Sequence, residues 1–194
     1  MLVNLRMPMV IGSAVIALAI AAPAMASDIG LLPANPGSIH ATSPHDEATT
    51  APSTSLSELV DAHAHTEVLD ADQECVAAAI YFEARGEPIE GQLAVAEVIL
   101  NRAASGKYPA SICAVVKQPA QFSFVRRGRI PSIAKASDAW RRAVAVAHVA
   151  FEGLIQRIAS DVLWYHADYV HPSWGSRLTR VTQIGAHIFY NRNG

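Results

Sequence analysis

The chain has 194 residues, a formal net charge of −2 and only two cysteines, which excludes a densely disulfide-bonded or cysteine-rich zinc scaffold. It carries no nucleotide-binding glycine loop, no Gly-x-Ser-x-Gly nucleophile elbow and no nucleic-acid motif. The charge is unevenly spread: Ser27 to Glu74 holds nine acidic residues and no Lys or Arg, whereas Cys75 to Gly194 holds fourteen basic and eight acidic ones, leaving that part at +6. Such a balance suits an anionic partner without identifying it.

In chain order, the first residues read as a secretory signal. Arg6 supplies the positive region, Val10 to about Ala22 the apolar core, and Ala24-Met25-Ala26 a small-x-small cleavage site. The apolar core is shorter than the ~20 residues of a spanning helix, so cleavage after Ala26 is favoured over an uncleaved anchor. In an oxidising compartment Cys75 and Cys113 are expected to pair, constraining the unfolded chain by roughly 3 to 4 kcal/mol; two buried free thiols are the alternative.

Residues 27–69, rich in Ala, Ser, Thr, Pro, His and acidic side chains, read as a flexible linker without sustained periodicity. His63-Ala-His65 within it could hold a metal adventitiously, but a solvated linker is the better reading. Asp70 and Asp72 cap a first helix from about Gln73 to Ala84, apolar nearly all round and so expected to be central. Gly86 and Pro88 end it, and Pro88 starts a second helix with Ile89, Leu93, Ala96, Leu100 and Ala103 on one face and Glu90, Glu97 and Asn101 turned elsewhere. A short third helix is expected over Ser111 to Lys117. Gln118 to Ser132 reads as loop or short strand, a cleft wall of aromatic, amide and hydroxyl groups or an ordinary exposed hairpin. A long helix from Ser137 to about Gln156 repeats Trp140, Val144, Ala147, Phe151 and Leu154 as core, with Arg141, His148 and Glu152 opposite, so His148 is expected to pair with Glu152 or be solvated. Strand-like pieces follow over Val162 to His166 and Val181 to Tyr190.

The feature that points to chemistry is Glu83. It ends the apolar run Cys-Val-Ala-Ala-Ala-Ile-Tyr-Phe-Glu and precedes the breaker Ala-Arg-Gly-Glu-Pro. A carboxylate at the end of a rigid helix opens onto the cleft the turn borders, and burial against Ile80, Tyr81 and Phe82 would raise its pKa as a general acid requires.

The stretch Cys75 to Arg102, CVAAAIYFEARGEPIEGQLAVAEVILNR, with Tyr108-Pro109, Gln121-Phe122-Ser123 and the terminal Ile184 to Tyr190, resembles the bacterial cell-wall hydrolase family typified by the spore cortex-lytic enzyme SleB. The resemblance covers roughly the last 120 residues. It implies a lysozyme-like helical domain that cleaves peptidoglycan glycan strands, commonly as a lytic transglycosylase, with Glu83 as catalytic acid and base. The stem-peptide carboxylates of peptidoglycan would suit the basic domain.

The residues themselves leave the chemistry open in three directions. Glycoside hydrolysis ordinarily uses two carboxylates, about 5 to 5.5 Å apart for retention and about 6.5 to 9.5 Å for inversion; Glu87, Glu90, Glu97, Asp161 and Asp168 are available, and none has the claim of Glu83. A lytic transglycosylase needs one, because the substrate's own 6-hydroxyl attacks the anomeric carbon. A zinc amidase built on His166, His171, His187 and Asp168 is a competing reading, weakened by the lack of a His pair on a regular element. A non-catalytic peptidoglycan-binding module is the third, and has no need of a semi-buried glutamate.

The sequence thus predicts a mainly α (α+β) protein, a lysozyme-like helical domain with a small β element. It divides the chain into a signal peptide (1–26), a linker (27–69) and a catalytic domain (70–194). Glu83 is the expected catalytic residue, and Gln121, Phe122, Ser123, Tyr165, His166 and Trp174 are the expected substrate contacts. Arg85 is assigned to orienting the turn or meeting a substrate carboxylate. No cofactor, metal or nucleic acid is expected, nor membrane insertion once the signal is cleaved. The partner is peptidoglycan and the location the periplasm or cell envelope.

Overall fold

A computed structural model describes residues 54–67 and 70–192. The expected signal segment, and the linker as far as residue 53, lie outside the described residues.

Five α-helices precede a three-stranded antiparallel sheet among the described residues. They are α1 (Leu56–Ala62), α2 (Ala71–Glu83), α3 (Ile89–Ala104), α4 (Ile112–Val116) and α5 (Asp138–Glu152), followed by β1 (Val162–Ala167), a short 3-10 turn (Gly175–Arg177), β2 (Thr179–Ile184) and β3 (His187–Asn191). The helical starts follow local chemistry. Ser55, Asp70, Ser111 and Ser137 each accept a hydrogen bond from the backbone N–H three residues on, and Ser55 with Glu58 completes a capping box.

The expected mainly helical α+β class is what the chain forms. The linker boundary at residue 69 is corrected: residues 56–62 are helical, and Leu56 and Val60 enter the helical core against α5. Only two apolar side chains of this seven-residue helix are buried. A pattern that short carries no periodicity to read, which is why the segment resembles its acidic surroundings.

The apolar α2 lies against α3, α4 and α5, with Val76, Ala77, Ala79 and Ile80 wholly buried. Its centrality is shared with α3, which is buried on two sides. Leu93, Ala96 and Ile99 join the helical core, whereas Ala94, Val95 and Val98 form a second cluster with Ile158, Val162 and Phe189 and so carry the sheet.

Glu97 does not lie on a polar side as expected. It is 7% exposed and accepts the N–H groups of Arg157 (2.9 and 3.1 Å) and Ile158 (2.9 Å). On the same helix, Asn101 donates to the carbonyls of Ala159 (3.0 Å) and Val162 (3.2 Å), and Arg102 Nε to that of Leu163 (2.7 Å). Three side chains thus bind the backbone entering β1, which is irregular there and cannot satisfy its own polar groups.

Helix α5 stops at Glu152 rather than near Gln156, because Gly153 adopts the left-handed conformation (φ 62°) that closes helices. Leu154, expected in the core, consequently lies beyond the helix and is 45% exposed. His148, expected to pair with Glu152 or be solvated, is buried at 3% exposure with its Nε2 3.0 Å from the Glu67 carbonyl, while Glu152 pairs with His63.

Cys75 and Cys113 are disulfide-bonded, joining α2 to α4 across 38 positions. Asp72 reinforces the junction by accepting the Cys113 N–H (3.0 Å). The tip between β2 and β3 rests on Glu87, whose carboxylate accepts the Ala186 N–H (2.8 Å). Gly185 there has φ 57°, and a Cβ would collide with that carboxylate.

Two stability predictions follow from this framework. Reduction of the disulfide, or Cys75→Ser with Cys113→Ser, should cost roughly 3 to 4 kcal/mol, read as a lower urea midpoint with and without reductant. Glu97→Ala strands the buried Ile158 N–H and the part-buried Arg157 N–H and should cost on the order of 1 to 3 kcal/mol, measured the same way; a loss under about 0.5 kcal/mol would remove the assigned role.

Candidate active site

Glu83 is the last residue of α2, and the helix closes behind it when the Ala84 N–H bonds to the carbonyl of Ile80 (2.8 Å). The side chain opens into a cleft of about 640 Å³ whose walls come from the loop after α4 and from β1. Gln121, Phe122, Ser123, Tyr165, His166 and Trp174 all line this same cleft. Residues separated by about ninety positions in sequence therefore surround one carboxylate.

Burial pushes the Glu83 carboxyl above its ordinary value of 4.5, and a hydrogen bond from the Ser123 hydroxyl partly offsets this by favouring the charged form. Tyr165 stands close enough to feel the charge of Glu83. Its own burial, and then that charge, push its phenol strongly upward, with Arg102 opposing. The phenol is thus held neutral, as a hydrogen-bond donor.

The expected contact residues differ in kind. Phe122 is 4% exposed and packs with Phe124 (5.5 Å between ring centres), so it shapes the floor more than it presents a face. His166 has both ring nitrogens engaged, Nδ1 with the Ala167 carbonyl (2.8 Å) and Nε2 with the Tyr190 hydroxyl (2.9 Å). It joins Trp174 and Tyr190 in a three-ring cluster with centres 5.2 to 5.6 Å apart. Because β1 is an edge strand, side chains from both its faces reach the cleft rim.

Sequence reasoning did not name Arg102 or Tyr108 as site residues. Arg102, 5% exposed, donates through Nη1 to Gln121 Oε1 (3.1 Å) while its Nε holds Leu163, and its guanidinium lies 5.1 Å from the Tyr108 ring centre. It fixes Gln121 and β1 at once. Both residues stand in the Leu-Asn-Arg and Tyr-Pro matches, which was the signal available. Arg85 is exposed, its guanidinium 5.1 Å from the Tyr81 ring centre, and does not line the cleft.

Glu83 is the only carboxylate among the described residues lining the cleft. Glu87 and Glu97 are committed to backbone N–H groups, and Asp161 accepts from Asn191 (2.7 Å). His166, His171, His187 and Asp168 do not converge as a ligand set among the described residues. His187 is buried, which lowers its pKa against the opposing pull of Glu87 and Asp168. A second groove, of about 500 Å³ beside the disulfide, contains Glu74, but that carboxylate is paired with Lys135 at 2.6 Å.

The cleft thus holds one half-buried carboxyl, raised in pKa by burial, among aromatic and polar walls. The chain belongs to the cell wall hydrolase family, whose model matches residues 86–190. It is 37% identical over 119 residues to the spore cortex-lytic enzyme of Oceanobacillus iheyensis and 35% over 119 residues to that of Bacillus subtilis, in each case over 61% of this chain. It spans 41% and 37% of the length of those relatives. Among solved structures it is similar to the catalytic domain of the germination-specific lytic transglycosylase SleB from Bacillus anthracis, with TM-score 0.54 and 31% identity over 65% of this chain and 98% of that one.

A raised Glu83 pKa has a consequence for stability. The folded state holds the proton to higher pH than the unfolded chain, so stability falls as pH rises from about the unfolded value of 4.5 and levels off above the folded one. Below that window both states are protonated. Glu83→Gln should therefore be more stable than the native protein at pH 7.5 and converge with it near pH 4, read from urea midpoints across pH. A gap of constant size would mean that charge burial is not its cause.

Proposed function

We propose that the domain cleaves the bond between MurNAc and GlcNAc in peptidoglycan as a lytic transglycosylase, with Glu83 as acid and then base. The observation that carries this reading is that Glu83 is the single carboxylate among the described lining residues, whereas a hydrolase of the ordinary kind needs two.

In the first step the protonated Glu83 gives its proton to the oxygen leaving with GlcNAc, and the bond from that oxygen to the MurNAc anomeric carbon breaks. The MurNAc 6-hydroxyl oxygen then bonds to the anomeric carbon, and its proton passes to the Glu83 carboxylate. The products are a 1,6-anhydro-MurNAc end and a free GlcNAc hydroxyl, with the carboxyl regenerated and no water consumed. Burial favours the protonated start, and the Ser123 hydroxyl steadies the ionised intermediate form. The neutral Tyr165 phenol supplies a donor beside the reacting carboxyl, and the His166, Trp174 and Tyr190 rings offer apolar faces for pyranose packing.

The committed Glu87 and Glu97 weigh against a two-carboxylate hydrolase, the engaged nitrogens of His166 against a zinc amidase, and the desolvated acid against a pure binding module. Action on the wall also places the protein outside the cytoplasmic membrane, in keeping with the signal read at residues 1–26. Among the described residues no helix is long and apolar enough to cross a membrane.

Digestion of purified peptidoglycan, followed by mass spectrometry of the released muropeptides, tests the reaction. Native protein should release anhydro-muropeptides, and Glu83→Gln should lower their rate of release by roughly 10²-fold or more. Reducing ends in place of anhydro ends would indicate a hydrolase, and release of stem peptides alone would overturn the role of Glu83.

A further inference from the structure

We propose that His63, His148 and Glu152 form a transition-metal site, suited to zinc, that clasps α1 to α5. One ring nitrogen of each histidine and one Glu152 oxygen lie within 4.8 Å of one another. His148 and Glu152 are one turn apart on α5 and share a face, while His63 is the residue that closes α1. The three converge only because the two helices pack.

The spacing is close to what a metal needs. Ligands bound at about 2.0 to 2.2 Å in a tetrahedral set stand roughly 3.4 Å apart, and His63 Nε2 already lies 3.6 Å from Glu152 Oε2. The other ligand atoms stand no more than 4.8 Å apart, and both His63 and Glu152, 21% and 48% exposed, have room to change rotamer. The imidazole planes are 4° from parallel with centres 5.5 Å apart, stacked, so binding one ion requires the partly exposed His63 ring, at the end of α1, to tilt toward the buried His148.

Each imidazole also has an outer partner of the kind that fixes a ligand's tautomer. His148 Nε2 lies 3.0 Å from the Glu67 carbonyl; donation there leaves Nδ1 with the lone pair. His63 Nδ1 lies 3.5 Å from Thr66 Oγ1, which leaves Nε2 facing Glu152. Two imidazoles and one carboxylate favour zinc or its neighbours over calcium or magnesium, which take oxygen sets. The ligands are not those of the His63-Ala-His65 spacing, since His65 is exposed and outside the cluster.

None of the three residues lines the cleft that holds Glu83, so the ion would fasten the fold rather than take part in glycan cleavage. Helix α1 is too short to be stable alone and is anchored by only two buried apolar residues. A metal shared with α5 would hold it through ligands that exist together only in the folded chain.

The untagged full chain, titrated with zinc chloride by calorimetry and with cobalt chloride by visible absorption, decides the matter. Native protein and His65→Ala should take up one equivalent of zinc, give the intense d–d bands of a low-coordinate cobalt site, and melt at higher temperature with zinc present. His63→Ala and Glu152→Gln should lose tenfold or more in affinity together with those bands, while peptidoglycan cleavage and far-UV circular dichroism stay unchanged. Both altered positions are partly exposed, so the variants test binding without demanding a repacked core. Absence of zinc uptake, uptake indifferent to His63→Ala and Glu152→Gln, or loss in His65→Ala of the same size would overturn the site. So would a destabilisation by His63→Ala that is equal with and without zinc, since that is the behaviour of a simple His63–Glu152 ion pair.

Discussion

The whole arrangement depends on α3 holding the backbone between Arg157 and Leu163. A three-stranded sheet whose outer positions are largely exposed has too little apolar surface to stand by itself, and here it borrows one. Ala94, Val95 and Val98 supply the apolar seat for Val162 and Phe189, and Glu97, Asn101 and Arg102 supply the polar one. Burial alone is non-directional and would leave β1 free to slide; hydrogen bonds to five backbone groups between Arg157 and Leu163 do not. Arg102 extends the same constraint to Gln121, so the register of the sheet and the position of the opposite cleft wall are set together.

Around that frame, Glu83 occupies a compromise between two demands. In the role proposed for it, the carboxyl has to be desolvated to deliver a proton near neutrality and then solvated or hydrogen-bonded to carry charge. The end of α2 satisfies both. Its preceding turns, Cys75 to Tyr81, are buried and hold the backbone, while the residue itself emerges where the chain breaks at Gly86 and Pro88. The Ser123 hydroxyl and Tyr165 phenol come from separate segments on either side, so the local dielectric is a property of the assembled cleft.

The disulfide and α1 act on the far side of the helical core, where the sheet offers no support. Cys75 and Cys113 tie the start of α2 to α4, and the loop after α4 is the segment that carries Gln121 to Ser123. Helix α1 adds Leu56 and Val60 to the same core beside α5. Segments outside the family match at residues 86–190, among them the one bearing Glu83, are therefore integral to the fold that presents the site.

What was legible in the sequence was whatever depends on neighbours along the chain. The apolar run of α2, the period of α3 and α5, the Asp70 and Ser137 caps, the breaker after Glu83 and the pairing of the only two cysteines can all be read from residues a few positions apart or from counting. Glu83 could be named from its place at a helix end, Gln121 to Ser123 from motif resemblance and Tyr165, His166 and Trp174 as candidate contacts, but their convergence on one carboxylate could not be derived from spacing. Glu97 shows why. On a helical wheel it belongs to a polar face, and only the arrival of residues 157 and 158 turns that position into a buried, satisfied one. His148 and α1 repeat the lesson, since one polar ring and two apolar side chains acquire partners from more than eighty positions away. By itself the sequence determined α2, α3 and α5, where they begin, and the carboxylate at the end of α2, because propensity, capping and amphipathic period are local. The cleft, the proton affinity of Glu83 and the destination of every buried polar side chain were decided by tertiary structure, because desolvation and hydrogen-bond partners come from segments distant in the chain.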